Sequence, residues 1–107
     1  MSNYYYLDIK LILANPEEVT PAFYKKNILE AVKQLFGETG ASIPIDILKF
    51  NSETLEAILR VPKSHYIKIR SSLVLSGKYE GIRCIYSIQK STPLLLALQG
   101  DSRNYNH

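Results

Sequence analysis

Residues 65–77 read HYIKIRSSLVLSG. The opening alternates as a strand would, with Ile67 and Ile69 set against Lys68 and Arg70, and the stretch then runs on as SSLVL and stops at Gly77. Read as a strand, it has no turn and its serines fall on mixed faces. Read as a helix, Ser64 can cap its start and Gly77 can close its end. Tyr66, Ile67, Ile69, Leu73 and Val74 then share one broad arc, with His65, Lys68, Ser71, Ser72 and Ser76 opposite. The helix is the better reading. It makes Arg70 the misfit, since Arg70 falls inside the apolar arc, where its stem can pack while the guanidinium reaches out.

With a helix at this point, the remaining segments fall into order. In YYYLDIKLILA, residues 4–14, Tyr5, Leu7, Ile9, Leu11 and Leu13 alternate with Asp8 and Lys10, the pattern of a strand with one buried side. Thr20 followed by Pro21 is a helix start, a hydroxyl cap and then proline at the first helical position. Tyr24, Ile28, Ala31, Val32, Leu35 and Phe36 make one face of that helix, and Gly37 ends it. Ile45–Phe50 and Thr54–Val61 read as a hairpin around Asn51 and Ser52, stopped by Pro62. GKYEG at 77–81 is a loop and Ile82–Gln89 a last strand. Thr92 and Pro93 then open a short helix over 93–99, closed by Gly100, and residues 101–107 form a flexible tail. The order β-α-β-β-α-β predicts an α+β, ferredoxin-like split βαβ sandwich as a single domain over residues 1–100. That fold hosts many functions and names none.

The composition is that of a folded chain, with 46% hydrophobic residues among 107. No run approaches the length of a membrane span, and the N-terminal residues lack a signal-like block. The net charge of +3 is unevenly spread. Residues 1–59 hold five lysines against eight carboxylates, a net of −3. Residues 60–107 hold eight bases against two acids, a net of +6. A basic half suits either a solvated surface or a polyanion partner. Lys63, His65 and Lys68 gather at the start and polar face of the second helix, where free N–H groups favour phosphate. Lys78 and Arg83 flank the following loop. These five are the candidate RNA-binding residues, by phosphate contacts that position RNA without reading its sequence.

Enzyme readings lack their residues. Only His65 and His107 are histidines, no Cys/His spacing suits zinc, and no nucleophile-elbow or phosphate-loop motif occurs. Cys84, the lone cysteine, sits on the apolar face of the last strand and reads as a structural thiol. A base-stacking sheet face would need aromatics on the third strand, and TLEAILRV has none. The run Leu94, Leu95, Leu96 and Leu98 is either ordinary core or, being hard to bury wholly in so small a domain, a partner contact. Arg70 joins it as a candidate protein-interface residue. The rival to an RNA scaffold is a ferredoxin-like ligand-sensing or dimerisation domain.

Several blocks in fixed order carry a resemblance: LFGE at 35–38, DIL…TLEAILR across 46–60, the SSL.L.G helix end and P.LLAL.G.SR near the C-terminus. From Ile28 to Arg103 the chain resembles the small protein subunits of eukaryotic ribonuclease P and ribonuclease MRP, in their fourteen-kilodalton branch. The resemblance implies a non-catalytic subunit of a ribonucleoprotein whose RNA, with its magnesium ions, removes the 5′ leader of precursor tRNA. The chain itself would hold no cofactor. The resemblance further implies a sister ferredoxin-like subunit and a barrel-fold subunit as partners, contact with the catalytic RNA and the precursor tRNA, no membrane, and a place in the nucleus and nucleolus. The chain departs from the family pattern at Arg70, where a large aromatic is expected, and lacks the longer N-terminal extension of some members.

Overall fold

The computed structural model describes residues 3–94. In chain order the elements are β1 (Tyr4–Leu13), α1 (Pro21–Ala41), β2 (Asp46–Asn51), β3 (Glu56–Pro62), a 3-10 turn (Lys63–His65), α2 (Tyr66–Leu75), β4 (Lys78–Tyr79) and β5 (Ile82–Thr92). The strands lie in the order β2-β3-β1-β5-β4, and every pairing is antiparallel. This is the expected ferredoxin-like arrangement, with a two-residue edge strand added. The expected helix over 93–99 beyond Leu94, with Leu95, Leu96 and Leu98, and the tail 101–107 lie outside the described residues.

Alternation sorts the sheet into two faces. Leu7, Ile9 and Leu11 of β1, Ala57, Leu59 and Val61 of β3, and Cys84 and Tyr86 of β5 turn inward. They meet Tyr24, Ile28 and Val32 of α1 and Ile69 and Leu73 of α2 in one buried core. Each buried leucine, isoleucine or valine among them is worth about 1.5–3 kcal/mol by burial. The opposite face carries Tyr6, Asp8, Lys10 and Ile12 of β1, Ile58 and Arg60 of β3, and Ile85 and Lys90 of β5. β5 runs three residues past the expected Gln89. Its register against β1 shifts between Asp8 and Ile9, so Gln89 is an extra residue, a bulge that sends Lys90 outward and Ser91 inward. The bulge breaks the alternation that a sequence reading follows. Ser91 receives a hydrogen bond from the Tyr66 hydroxyl (3.0 Å), and Tyr66 packs on Tyr5 with ring centroids 4.1 Å apart, which ties α2 to the sheet.

The helix starts and stops are partly corrected. Thr20 caps α1 as expected, its hydroxyl accepting from the Phe23 N–H at 3.2 Å, with Pro21 at the first position. Gly37 does not end α1. At φ +75, ψ −167, a conformation open in practice to glycine alone, it kinks the chain, and one further turn runs to Ala41. Ser64 does not cap α2. A 3-10 turn intervenes, His65 occupies the cap position without a side-chain bond, and the Ser64 hydroxyl lies 3.0 Å from His65 Nδ1 instead. Gly77 does not close α2 in a left-handed turn. Ser76 ends the helix in extended conformation, and the Gly77 carbonyl accepts from the Cys84 N–H at 3.0 Å, leading the chain into β4.

Residues 77–81, expected as a loop, are thus the first arm of a tight hairpin. Its turn residues Glu80 (φ 48) and Gly81 (φ 80) are both left-handed, the pattern of the type I′ turn that matches strand twist. Glu80 accepts that conformation because Asn27 holds it twice. The Asn27 side-chain oxygen accepts the Glu80 N–H (3.0 Å), and its amide donates to Glu80 Oε2 (2.8 Å). Lys26 adds an ion pair at 3.3 Å.

Candidate nucleic-acid interface

α2 is ten residues long, about 15 Å at the helical rise, and the five basic residues read from the sequence stand as one pair at each end and a single lysine between. Lys63 and His65 stand in the 3-10 turn before it. Lys78 and Arg83 stand beyond its far end, directly paired across the β4–β5 hairpin. Lys68 lies between, exposed, with its ammonium 5.6 Å from the centre of the Phe36 ring of α1. The single cluster expected from the sequence is therefore two pairs bridged by one lysine. Among the described residues none of the five is in an ion pair. Lys26, Lys33 and Arg60, by contrast, are engaged by Glu80, Glu38 and Asp46.

The side of α2 facing away from the sheet corrects the single-arc reading. Ile69 and Leu73 point into the core as expected, and Ser72 goes with them, its hydroxyl donating to the Lys68 carbonyl at 2.7 Å. Ile67, Val74 and Leu75 are 67%, 61% and 69% exposed. Ile67, Arg70, Ser71 and Val74 follow the spacing of one helical face and, with Leu75, line a shallow groove. Arg70 is thus no misfit. It stands within an outward apolar stripe, its guanidinium 3.4 Å from the Tyr66 hydroxyl. Leu75 also borders the crevice between the helices together with Leu35, which extends the stripe towards α1. The sequence held the signal for this second face: Ile67, Ile69, Leu73, Val74 and Leu75 are too many apolar residues for one side of ten. Leu94, the one residue of the leucine run that is described, is exposed.

The groups that could do chemistry are placed for structure. Cys84 is buried, and burial pushes its thiol up, away from the reactive thiolate. Tyr79 and Tyr86 are likewise pushed up by burial. Among the described residues no three His, Cys, Asp or Glu side chains gather as a metal site would need.

The model of the Rpp14/Pop5 family matches residues 5–92, from the first strand through the last. The chain belongs to the Rpp14/Pop5 family. Ribonuclease P protein subunit p14 of Homo sapiens is 41% identical over 103 residues, which cover 95% of this chain and 83% of that protein. The Mus musculus protein of the same name is 38% identical over 103 residues, 95% of this chain and 84% of its own. The resemblance drawn from the LFGE, TLEAILR and leucine-run blocks is borne out. A chain in the cryo-EM structure of yeast ribonuclease MRP superposes with a TM-score of 0.76 at 14% identity, over 87% of this chain and 76% of that one. That likeness confirms the ferredoxin-like fold. In this Rpp14/Pop5 member the match ends at Thr92, where β5 ends.

Proposed function

We propose that this chain is an accessory protein subunit of a ribonuclease P-type ribonucleoprotein, supporting an RNA that carries out the 5′ maturation of precursor tRNA. Family membership and the p14 relatives support the subunit role. The observation that carries the mode of action is the outward side of α2, an apolar stripe lying between two pairs of bases that no carboxylate among the described residues engages. Ile67, Arg70, Val74 and Leu75 supply a protein-docking face for a sister ferredoxin-like or a barrel-fold subunit. Lys63, His65, Lys68, Lys78 and Arg83 supply phosphate contacts to the catalytic RNA or the precursor tRNA. Magnesium belongs with the RNA in this reading, catalysis is not assigned to this chain, and the particle resides in the nucleus and nucleolus. Nothing in the family match supports the ligand-sensing alternative.

The test is charge reversal at Lys63, Lys68 and Lys78 together, measured in the assembled complex. Three lost phosphate contacts lower RNA affinity and flatten the dependence of log K on log salt by about 2–3. An unchanged affinity and slope would remove the RNA surface from the proposal.

A further inference from the structure

β5 is eleven residues long, yet its outer neighbour β4 pairs with Ile82 and Arg83 only. The Ala14 N–H donates to the Arg83 carbonyl (2.9 Å) on the β1 side, and the Cys84 N–H donates to the Gly77 carbonyl (3.0 Å) on the β4 side. Backbone groups alternate between the two edges of a strand, so Ile85 and Ser87 turn theirs to β1, while Tyr86 and Ile88 turn theirs to the outer edge. The chain before Gly77 is already in α2, and among the described residues no strand reaches Tyr86 or Ile88 on that edge.

Two apolar surfaces flank this open edge. Lys68 reaches Phe36 of α1, and Ser72 and Leu75 border the crevice with α1, so by the helical repeat Ile67, Arg70 and Val74 fall on the opposite flank of α2. That flank lies over β5, because Arg70 stands 3.4 Å from the Tyr66 hydroxyl, which itself donates to Ser91. On the other side of the edge, Ile12, Arg83 and Ile85 line, with Gly77, a hollow of about 420 Å³ at the point where β4 stops. Natural edge strands are kept short, charged or covered, and this one is long and apolar on both sides.

We propose that an extended, acidic segment of a partner subunit adds to the sheet along the outer edge of β5. The proposal rests on the reading of the α2 stripe as a subunit-docking face and says how that subunit is held. The added strand exchanges backbone hydrogen bonds with Tyr86 and Ile88. Its side chains alternate, some packing against Ile67 and Val74 and the others entering the hollow beside Ile85. Charge sets its chemistry. Arg70 on one flank, and Lys78 and Arg83 at the end of the edge, are in no ion pair among the described residues, and they select carboxylates. A second copy of this chain would set the same three cations against their duplicates. A nucleic acid has no peptide backbone with which to continue the ladder.

The test is hydrogen exchange at single amides, comparing the full chain alone with the same chain in the assembled ribonucleoprotein. Tyr86 and Ile88 should exchange about tenfold or more slowly in the assembly, while Ile85 and Ser87, already bonded to β1, stay slow in both states. Ile85→Lys alters a side chain that is 63% exposed and should undo the protection without moving the unfolding midpoint. Equal exchange of Tyr86 and Ile88 in the two states would overturn the proposal, as would protection that persists in Ile85→Lys. If Val74→Lys still strips a co-purifying subunit in that case, the docking stripe stands and the added strand alone is lost. Protection in the isolated chain that grows with concentration would give the edge to a second copy. Protection there at every concentration would mean the chain closes its own edge, and protection reproduced by the RNA alone would give the edge to RNA. Each of these three results would also overturn the proposal.

Discussion

Asn27 shows how one side chain can set a turn. It is buried, donates to the Phe23 carbonyl and to Glu80, and accepts from the Glu80 backbone. Replacing it with alanine leaves the Glu80 N–H without its acceptor in a left-handed turn, and Asn27→Ala should cost about 1–3 kcal/mol in urea unfolding. The same contacts act on acidity. The Asn27 hydrogen bond, followed by the Lys26 contacts, holds the Glu80 carboxyl below the usual carboxylate range. A carboxyl depressed in the folded state stabilises it above the ordinary value of about 4.5 and loses that contribution as pH falls through the lower folded value. In an acid titration of stability, Asn27→Ala should therefore lose part of the steepness seen below pH 4.5 in the unaltered chain. None of this was legible in the sequence, because Asn27 and Glu80 are far apart in the chain and an asparagine within a helical pattern gives no sign of its partner.

At the scale of elements, α2 separates core from contact within ten residues. Ile69→Ala removes a buried side chain and should cost about 2–5 kcal/mol. Val74→Lys alters an outward one and should stay within about 0.5 kcal/mol by the same denaturation curves. If the outward stripe is a docking face, Val74→Lys should nonetheless lose co-purifying subunits, and unchanged recovery would dismiss the stripe. The sequence was informative where a period survives. β1, α1 and β3 follow from alternation or helical spacing because each buries one side. It misled where a local device interrupts the period. The bulge at Gln89 hid the last residues of β5, the φ +75 conformation of Gly37 bent a helix that was expected to stop, and the 3-10 turn displaced the cap from Ser64. Of the candidate surface, the basic residues were readable by type. Their division into two pairs was not, because it depends on the length of the helix between them and on the Lys78–Arg83 pairing.

For the whole molecule, the sheet order has a kinetic consequence. β1 sits between β3 and β5, so the earliest of the five described strands is the one that both later halves of the sheet must join. Its pairing with β5 links residues near 6 to residues near 92. Such distant partners place the fold among those whose folding is slowed by the entropy of closing long loops. On the ribosome, β1 can take β3 as a neighbour once the hairpin emerges, but its other edge stays open until β5 has been made. During that interval a strand rich in tyrosine, leucine and isoleucine is available to any other unpaired strand. Assembly of this subunit is therefore most exposed to mispairing in the time between synthesis of β3 and synthesis of β5.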